Sequence, residues 1–205
     1  MTHATPDHAR RTQRERRADS RALILDAAVE SLVRNGYAGT TTVTIQALAG
    51  VSRGRLLHHF PSRDALLVAA AEHLAIERIE EMEQWFTDDR TIDNRIDLAV
   101  GSLWRTFRQP YFWAAMELWS AARTNDELRD QLDESEHRLG RAIAVVVATM
   151  FGPRHSSHPA FGDVRELLFT SMRGVALTYA IDRRDPDGDP HLVLWRQIAH
   201  RMLDD

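Results

Sequence analysis

The sequence predicts an all-α protein of about nine helices. Apolar residues recur at spacings of three and four along nearly the whole chain, and strand-like alternation is almost absent. The periodic stretches are separated by short segments rich in turn residues, among them "QPY", "RTNDE", "FGPRHSSHPAFGD" and "RRDPDGDP". With 43% hydrophobic residues over 205 positions, the chain can bury a substantial core as one large domain or two small ones.

The first helix is expected to start at Ser20 as N-cap and to run through "SRALILDAAVESLVRNGY", with Leu23, Ile24, Ala27, Ala28 and Leu32 as its buried stripe. Asn35-Gly36 would end it through the left-handed conformation that glycine tolerates. Thr40, Thr41 and Thr42 supply an N-cap for a short second helix carrying Ile45 and Leu48. "AGVS" (49–52) reads as a tight turn around Gly50, and Ser52 caps a third short helix that Pro61 terminates. Ser62 caps a fourth helix running to about Phe86. Longer helices are expected over roughly 92–108, 111–124, 126–151, 160–183 and 190–203. Residues 1–17 form a basic arm expected to be disordered, 18–64 a first domain with its central motif at 41–60, and 65–205 a second.

Composition narrows the function. No apolar run approaches the ~18–20 residues of a membrane span. The arginines near the N-terminus are not followed by an apolar segment, so no secretory signal is read there and a cytoplasmic protein is expected. The absence of cysteine excludes disulfides and thiolate metal sites. A net charge of −4 conceals an asymmetry: residues 1–63 carry ten Arg against five acidic residues, while the remaining 142 carry 16 against 25. A basic end on an acidic body points to the first third as the part that meets a polyanion.

Two short helices joined by a glycine-containing turn within a three-helix unit form a helix-turn-helix pattern. In the third helix Leu56 and Phe60 lie four apart and share the core side. At about 100° per residue, Gly54, Arg55, Leu57 and His58 then face outward, with Ser52 and Arg53 at the N-terminal end that a recognition helix presents to base edges. Arg53 and Arg55 suit bidentate contact with guanine or a phosphate. Gly54 lets the helix approach a groove floor, and His58 can donate or accept a hydrogen bond. His59 is expected to be a wedged, partly buried side chain. The helix N-termini at Thr41 and Ser62 present free N–H groups to phosphate, with Arg63 beside the second.

Residues 20–75, with "ILDAAVESLVRNGYAGTTT", "AGVSRG" and "LLHHFPSRDAL", resemble the DNA-binding domain of TetR-type transcriptional regulators. The resemblance implies DNA contacts from Thr40, Thr41, the segment Ser52 to His58, and Arg63. Three positions depart from the family pattern. Leu57 replaces a tyrosine that reaches phosphate, Arg55 replaces a threonine or alanine, and Gln46 stands where a small alanine packs. The resemblance further implies that the second domain binds a small effector and dimerises, the whole acting as a homodimeric repressor.

The acidic two-thirds supplies material for both tasks. Residues 101–124 concentrate three of the five Trp, and Trp104, Phe107, Trp113, Met116, Glu117 and Trp119 are candidate linings for a hydrophobic or aromatic ligand. The same side chains could instead be packed core. Glu117 could pair with Arg123, Arg105 or another arginine. Toward the C-terminus, Leu167, Leu168, Met172, Val175, Ala176 and Tyr179 form one stripe, and Leu192, Trp195, Ile198, Ala199 and Met202 another. Gly174 would admit a close partner helix, so a two-fold four-helix bundle is expected. No nucleophile elbow or Gly-rich phosphate loop is present, and His155 and His158 lack acidic company for a metal. No enzyme activity, metal or cofactor is expected; the partners expected are double-stranded DNA, a small effector and a second copy of the chain.

Overall fold

A computed structural model describes residues 13–88, 94–182 and 184–204. Among the described residues there are nine α-helices and no strand: α1 (Gln13–Gly39), α2 (Thr42–Ala49), α3 (Arg53–His59), α4 (Arg63–Asp88), α5 (Arg95–Thr106), α6 (Pro110–Ala122), α7 (Asp126–Ser156), α8 (Phe161–Thr178) and α9 (Pro190–Leu203). A single 3-10 turn, Pro186–Gly188, precedes α9. No described helix is long and apolar enough to cross a membrane.

The boundaries follow local chemistry, with four differences from expectation. First, α1 begins at Gln13, because "QRERRAD" is made mostly of good helix formers; Ser20 lies buried within the helix instead of capping it. Residues 1–12 of the expected arm lie outside the described residues. Second, the buried stripe of α1 is Ile24, Leu25, Ala27, Ala28, Val29 and Leu32, whereas Leu23 is exposed. The stripe is wide and rotated because α1 packs against both α4 and α6. Third, Gly36 has φ 66° and ψ 177°, a region open essentially to glycine alone and different from the left-handed helical turn expected there. Fourth, α8 stops at Thr178, short of residue 183.

Two apolar clusters hold the helices. The first joins α1, α2 and α3 (Ile24, Leu32, Ile45, Leu56) to Leu66 and Leu67 of α4, Leu118 of α6 and Leu128 of α7. Packing is therefore continuous across the boundary expected at residues 64 and 65. The second gathers α5, α7, α8 and α9 around Trp104, whose ring lies 5.0 Å from Trp195 and 5.9 Å from Tyr179. Burying the Trp104 indole N–H is made tolerable by its donation to the Pro186 carbonyl at 2.8 Å. The long α4 packs along α7 and links the clusters, reinforced by a two-pronged Arg138–Glu72 pair at 2.9 and 3.0 Å. Gly152 (φ 76°) breaks α7 where the sequence places its end, and Arg95 donates to the freed Met150 and Thr149 carbonyls at 3.0 and 2.8 Å.

At the corner of α5, α7 and α9, two histidines share one carboxylate. His200 Nδ1 meets Asp204 at 2.7 Å and Nε2 meets Asp97 at 3.0 Å. His155 Nε2 meets the other oxygen of Asp204 at 3.2 Å. The bond to Asp204 raises the His200 pKa above its ordinary value, partial burial opposes this, and Asp97 reinforces it. The bond from His200 correspondingly lowers the Asp204 pKa. A raised folded-state pKa stabilises below the unfolded value of about 6.5, and the gain disappears as pH rises through the folded value. Replacing His200→Gln should therefore lower Tm most between about pH 5 and 6.5 and progressively less toward pH 9. Thermal melts of both proteins across that range check it.

Candidate nucleic-acid interface and ligand cavity

The short helices α2 and α3 are built from their caps. Thr41 Oγ1 accepts from Thr44 N at 3.1 Å while Thr44 Oγ1 accepts from Thr41 N at 2.9 Å, a reciprocal capping box. Gly50 closes α2 at φ 64° and ψ 31°, the left-handed conformation expected of it. Ser52 Oγ accepts from Arg55 N at 3.3 Å and starts α3. Leu56 and Phe60 are buried, so Ser52, Arg53, Gly54, Arg55, Leu57 and His58 are all exposed on the other side, as the spacing implies. His59 is half-buried, its ring 6.2 Å from that of Phe60. A Cβ added at Gly54 would meet nothing within 4 Å, so packing inside the chain gives no reason for a glycine there. Leu57, Val43 and Leu48 are exposed apolar side chains on this end of the molecule.

Two of the expected contact residues point inward. Thr40 is fully buried; its hydroxyl donates to the Gly36 carbonyl at 2.8 Å and accepts from Ser31 at 3.2 Å. Arg63 is committed as well. Its Nε donates to the Thr40 carbonyl at 2.5 Å, Nη2 donates to the Tyr37 carbonyl, and Nη1 lies 3.2 Å from Asp64. The guanidinium also stacks 4.1 Å from the centre of the Tyr37 ring. The carbonyls between α1 and α2 need donors, and Arg63 is the nearest cation able to supply several at once. Thr41 stays exposed, its hydroxyl serving as the cap, and Thr42 is half-buried.

Glu117 is corrected too. It faces neither Arg123 nor Arg105: its Oε2 accepts the Tyr37 N–H at 2.9 Å. A Cβ on Gly36 would lie 3.0 Å from that oxygen, so the glycine permits the approach. The Tyr37 hydroxyl donates to Asp64 at 2.9 Å and accepts from Asn125 at 3.3 Å. Burial first, then the Asp64 carboxylate, keeps the Tyr37 phenol above its ordinary pKa and hence a donor at neutral pH.

A cavity of about 140 Å³ lies between α4, α6 and α7, closed by parts of α5 and α8. Phe107, Met116 and Trp119 line it as anticipated, whereas Trp104, Trp113 and Glu117 do not. Trp104 belongs to the core beneath α9, and Trp113 is half-buried against Phe112 at 5.2 Å. Sequence reasoning missed Tyr111, Arg78, Arg173 and the aliphatic wall Ile79, Met82 and Ile143. Arg173, adjoining Met172 on an otherwise apolar stripe, was a readable signal; it stacks 4.6 Å from the Trp119 ring, whose N–H donates to Glu136 at 2.9 Å. Burial pushes the Tyr111 phenol up to about 12, with Thr106 and Arg78 partly offsetting it, so it too remains a neutral donor.

The expected dimer stripes turn mostly inward. Leu168, Met172 and Trp195 are buried within the chain, Val175, Tyr179, Leu192 and Met202 are half-buried against the same core, and Ile198 is half-buried. The large apolar residues that α8 and α9 leave exposed are Leu167 and Leu177 on the one and Val193 and Leu194 on the other, with Gly174 exposed on α8 and Ile181 just beyond it. Both helices carry two apolar stripes, and the wider one is used internally.

Residues 24–70, which span the capped helices and the start of α4, match the family model for bacterial regulatory proteins of the tetR family. The regulator CymR of Pseudomonas putida is 29% identical over 168 residues, covering 82% of this chain and 83% of its own length. These matches support a TetR-type transcriptional regulator. Its backbone superposes on that of Salmonella enterica GusR with a TM-score of 0.64 at 20% identity, covering 95% of this chain and 99% of the other. It also matches Bacillus subtilis FadR in complex with stearoyl-CoA, with a TM-score of 0.62 at 18% identity over 89% and 97% of the two chains. The relatives thus indicate a TetR-type DNA-binding transcriptional regulator, and the solved structures share its all-α architecture.

Two glycines of the TetR-type head give opposite expectations. Gly36→Ala forces a side chain into a glycine-only region and should cost about 1–3 kcal/mol. Gly54→Ala adds a methyl in open space within a helix and should stabilise by up to about 1 kcal/mol. Urea unfolding of the two variants distinguishes them.

Proposed function

We propose that the chain is a ligand-responsive repressor that binds a near-palindromic operator as a homodimer and is released by a small apolar or aromatic effector. The observation that carries the reading is the exposed face of α3, where Arg53, Gly54, Arg55 and His58 point to solvent on a helix whose core side is anchored by Leu56. Arg53 and Arg55 are the base or phosphate readers, Ser52 and Thr41 mark helix N-termini suited to phosphate, and Gly54 allows close approach. Leu57, lacking the family tyrosine's hydroxyl, gives an apolar contact such as that with a thymine methyl. Residues 18–64 carry this reading surface, and the rest of the chain carries the effector and dimer functions.

For pairing, the exposed stripe Leu167, Gly174, Leu177, Val193 and Leu194 gives α8 and α9 an apolar face that two copies would bury as a four-helix bundle, with Gly174 at the close approach. Two α3 helices then address half-sites about one helical turn or a multiple apart, and the bulk of the dimer occludes the promoter.

The cavity supports the effector. At about 140 Å³ it is near the size that accepts a single aromatic ring and below the roughly 300 Å³ of ordinary ligand pockets. A larger ligand must push its walls apart. Those walls include α4 and α6, the helices packed on α1, so ligand uptake and head position are linked.

Fluorescence anisotropy on duplexes selected from a random pool tests the reading. Arg53→Ala and Arg55→Ala should each weaken binding by about 1–3 kcal/mol if they read a base, or lower the salt slope by about 1 if they meet phosphate, with Tm unchanged. Arg63→Ala should instead lower Tm, since its guanidinium is spent on the chain's own carbonyls. If both α3 variants bind like wild type, the assignment of α3 fails. In parallel, Leu177→Glu should convert the dimer to monomer by light scattering at micromolar concentration, and a wild-type monomer would contradict the pairing.

A further inference from the structure

Tyr37 lies four positions before Thr41, the cap that starts α2, and both polar groups of its backbone are held by helices that wall the cavity. From α6, Glu117 Oε2 accepts its N–H at 2.9 Å. From α4, Arg63 donates to its carbonyl and to that of Thr40 while stacking on the Tyr37 ring at 4.1 Å. The Tyr37 hydroxyl reaches Asp64, again on α4, and receives Asn125, the cap of α7. Along α6, Ala115, Met116 and Trp119 line the cavity, while Glu117, within the same turn, points to the head. Along α4, Ala75, Arg78, Ile79 and Met82 line it and Arg63 begins the same helix.

We propose that Glu117 is the positioning residue through which the cavity governs the recognition helix, by gripping the Tyr37 peptide from the α6 side against the Arg63 grip from the α4 side. This rests on the reading of the chain as a ligand-responsive DNA-binding protein. Spreading the cavity walls moves α6 relative to α4, and the Tyr37 peptide cannot follow both. A bond of 2.9 Å ceases to be one by about 3.6 Å, so a displacement well under 1 Å decides whether the grip holds. Gly36 is part of the device. Its φ of 66° turns the Tyr37 N–H outward, and its missing side chain leaves room for the carboxylate.

A double-mutant cycle in the full-length chain tests this without knowledge of the effector. Ala115→Phe fills the cavity from α6 and stands in for a bound ligand; Ala75→Leu does the same from α4 and serves if the first variant does not fold. The readout is affinity for a duplex selected by the wild-type chain, with Tm measured beside it. In the wild-type background the filling substitution should weaken duplex binding about five-fold or more. In the Glu117→Ala background the same substitution should change affinity less than about two-fold, whereas its effect on Tm should be the same in both. Glu117→Gln, which keeps a carbonyl oxygen for the Tyr37 N–H, should restore the coupling. Equal weakening in the presence and absence of Glu117, or no weakening in the wild-type background, overturns the proposal. If the wild-type chain selects no duplex at all, the DNA-binding reading itself falls and the proposal with it, a result distinct from an additive cycle.

Discussion

The burial of α1 between α4 and α6 is the contact on which the helix-turn-helix and its placement depend. Helices of eight and seven residues, the lengths of α2 and α3, are far below what is stable alone in water. They exist because Ile45 and Leu56 insert into a core whose walls are Ile24, Leu25 and Leu32 of α1 and Leu66 and Leu67 of α4. Each such buried side chain contributes on the order of 1.5–3 kcal/mol. Because Ala114, Leu118 and Ala122 of α6 complete that same core, the reading surface has no independent foundation. Its position relative to the body is set wherever α1 is set.

This arrangement explains how the polar residues of the head are divided. Carbonyls left free between α1 and α2 would be costly beside an apolar core, so Thr40 and Arg63 are drawn inward to satisfy them. On α3, by contrast, Arg53 and Arg55 are exposed, at the basic end of an otherwise acidic chain. Arginines close in sequence thus differ in place: Arg63 is spent on the head's own carbonyls, whereas Arg53 and Arg55 face outward.

Much of the fold could be read in advance because its signals are local. The caps Thr41, Ser52 and Ser62, the turn at Gly50 and the stop at Pro61 each act within a few residues, and the helix-turn-helix followed from them. The outward face of α3 followed from one anchoring pair, Leu56 and Phe60. Ser20 and Gly36 departed from purely local expectations, and the other errors lie where a residue's partner is remote. Glu117 meets Tyr37 from 80 positions away, and nothing in "MELWS" says so. Trp104 and Trp119 belong to the same aromatic stretch, yet one is core under α9 and the other cavity wall. In α8 the spacing reveals two apolar stripes but not which one the chain uses for itself. Leu168 and Met172 proved internal, and Leu167, Gly174 and Leu177 are left exposed.

Sedimentation equilibrium of the chain with its selected duplex measures whether two α3 helices share one duplex as proposed. A complex containing an even number of chains per duplex is expected, with much weaker binding when the duplex is cut to one half-site. A complex of one chain with one duplex, or equal affinity for the half-site, would contradict the proposal.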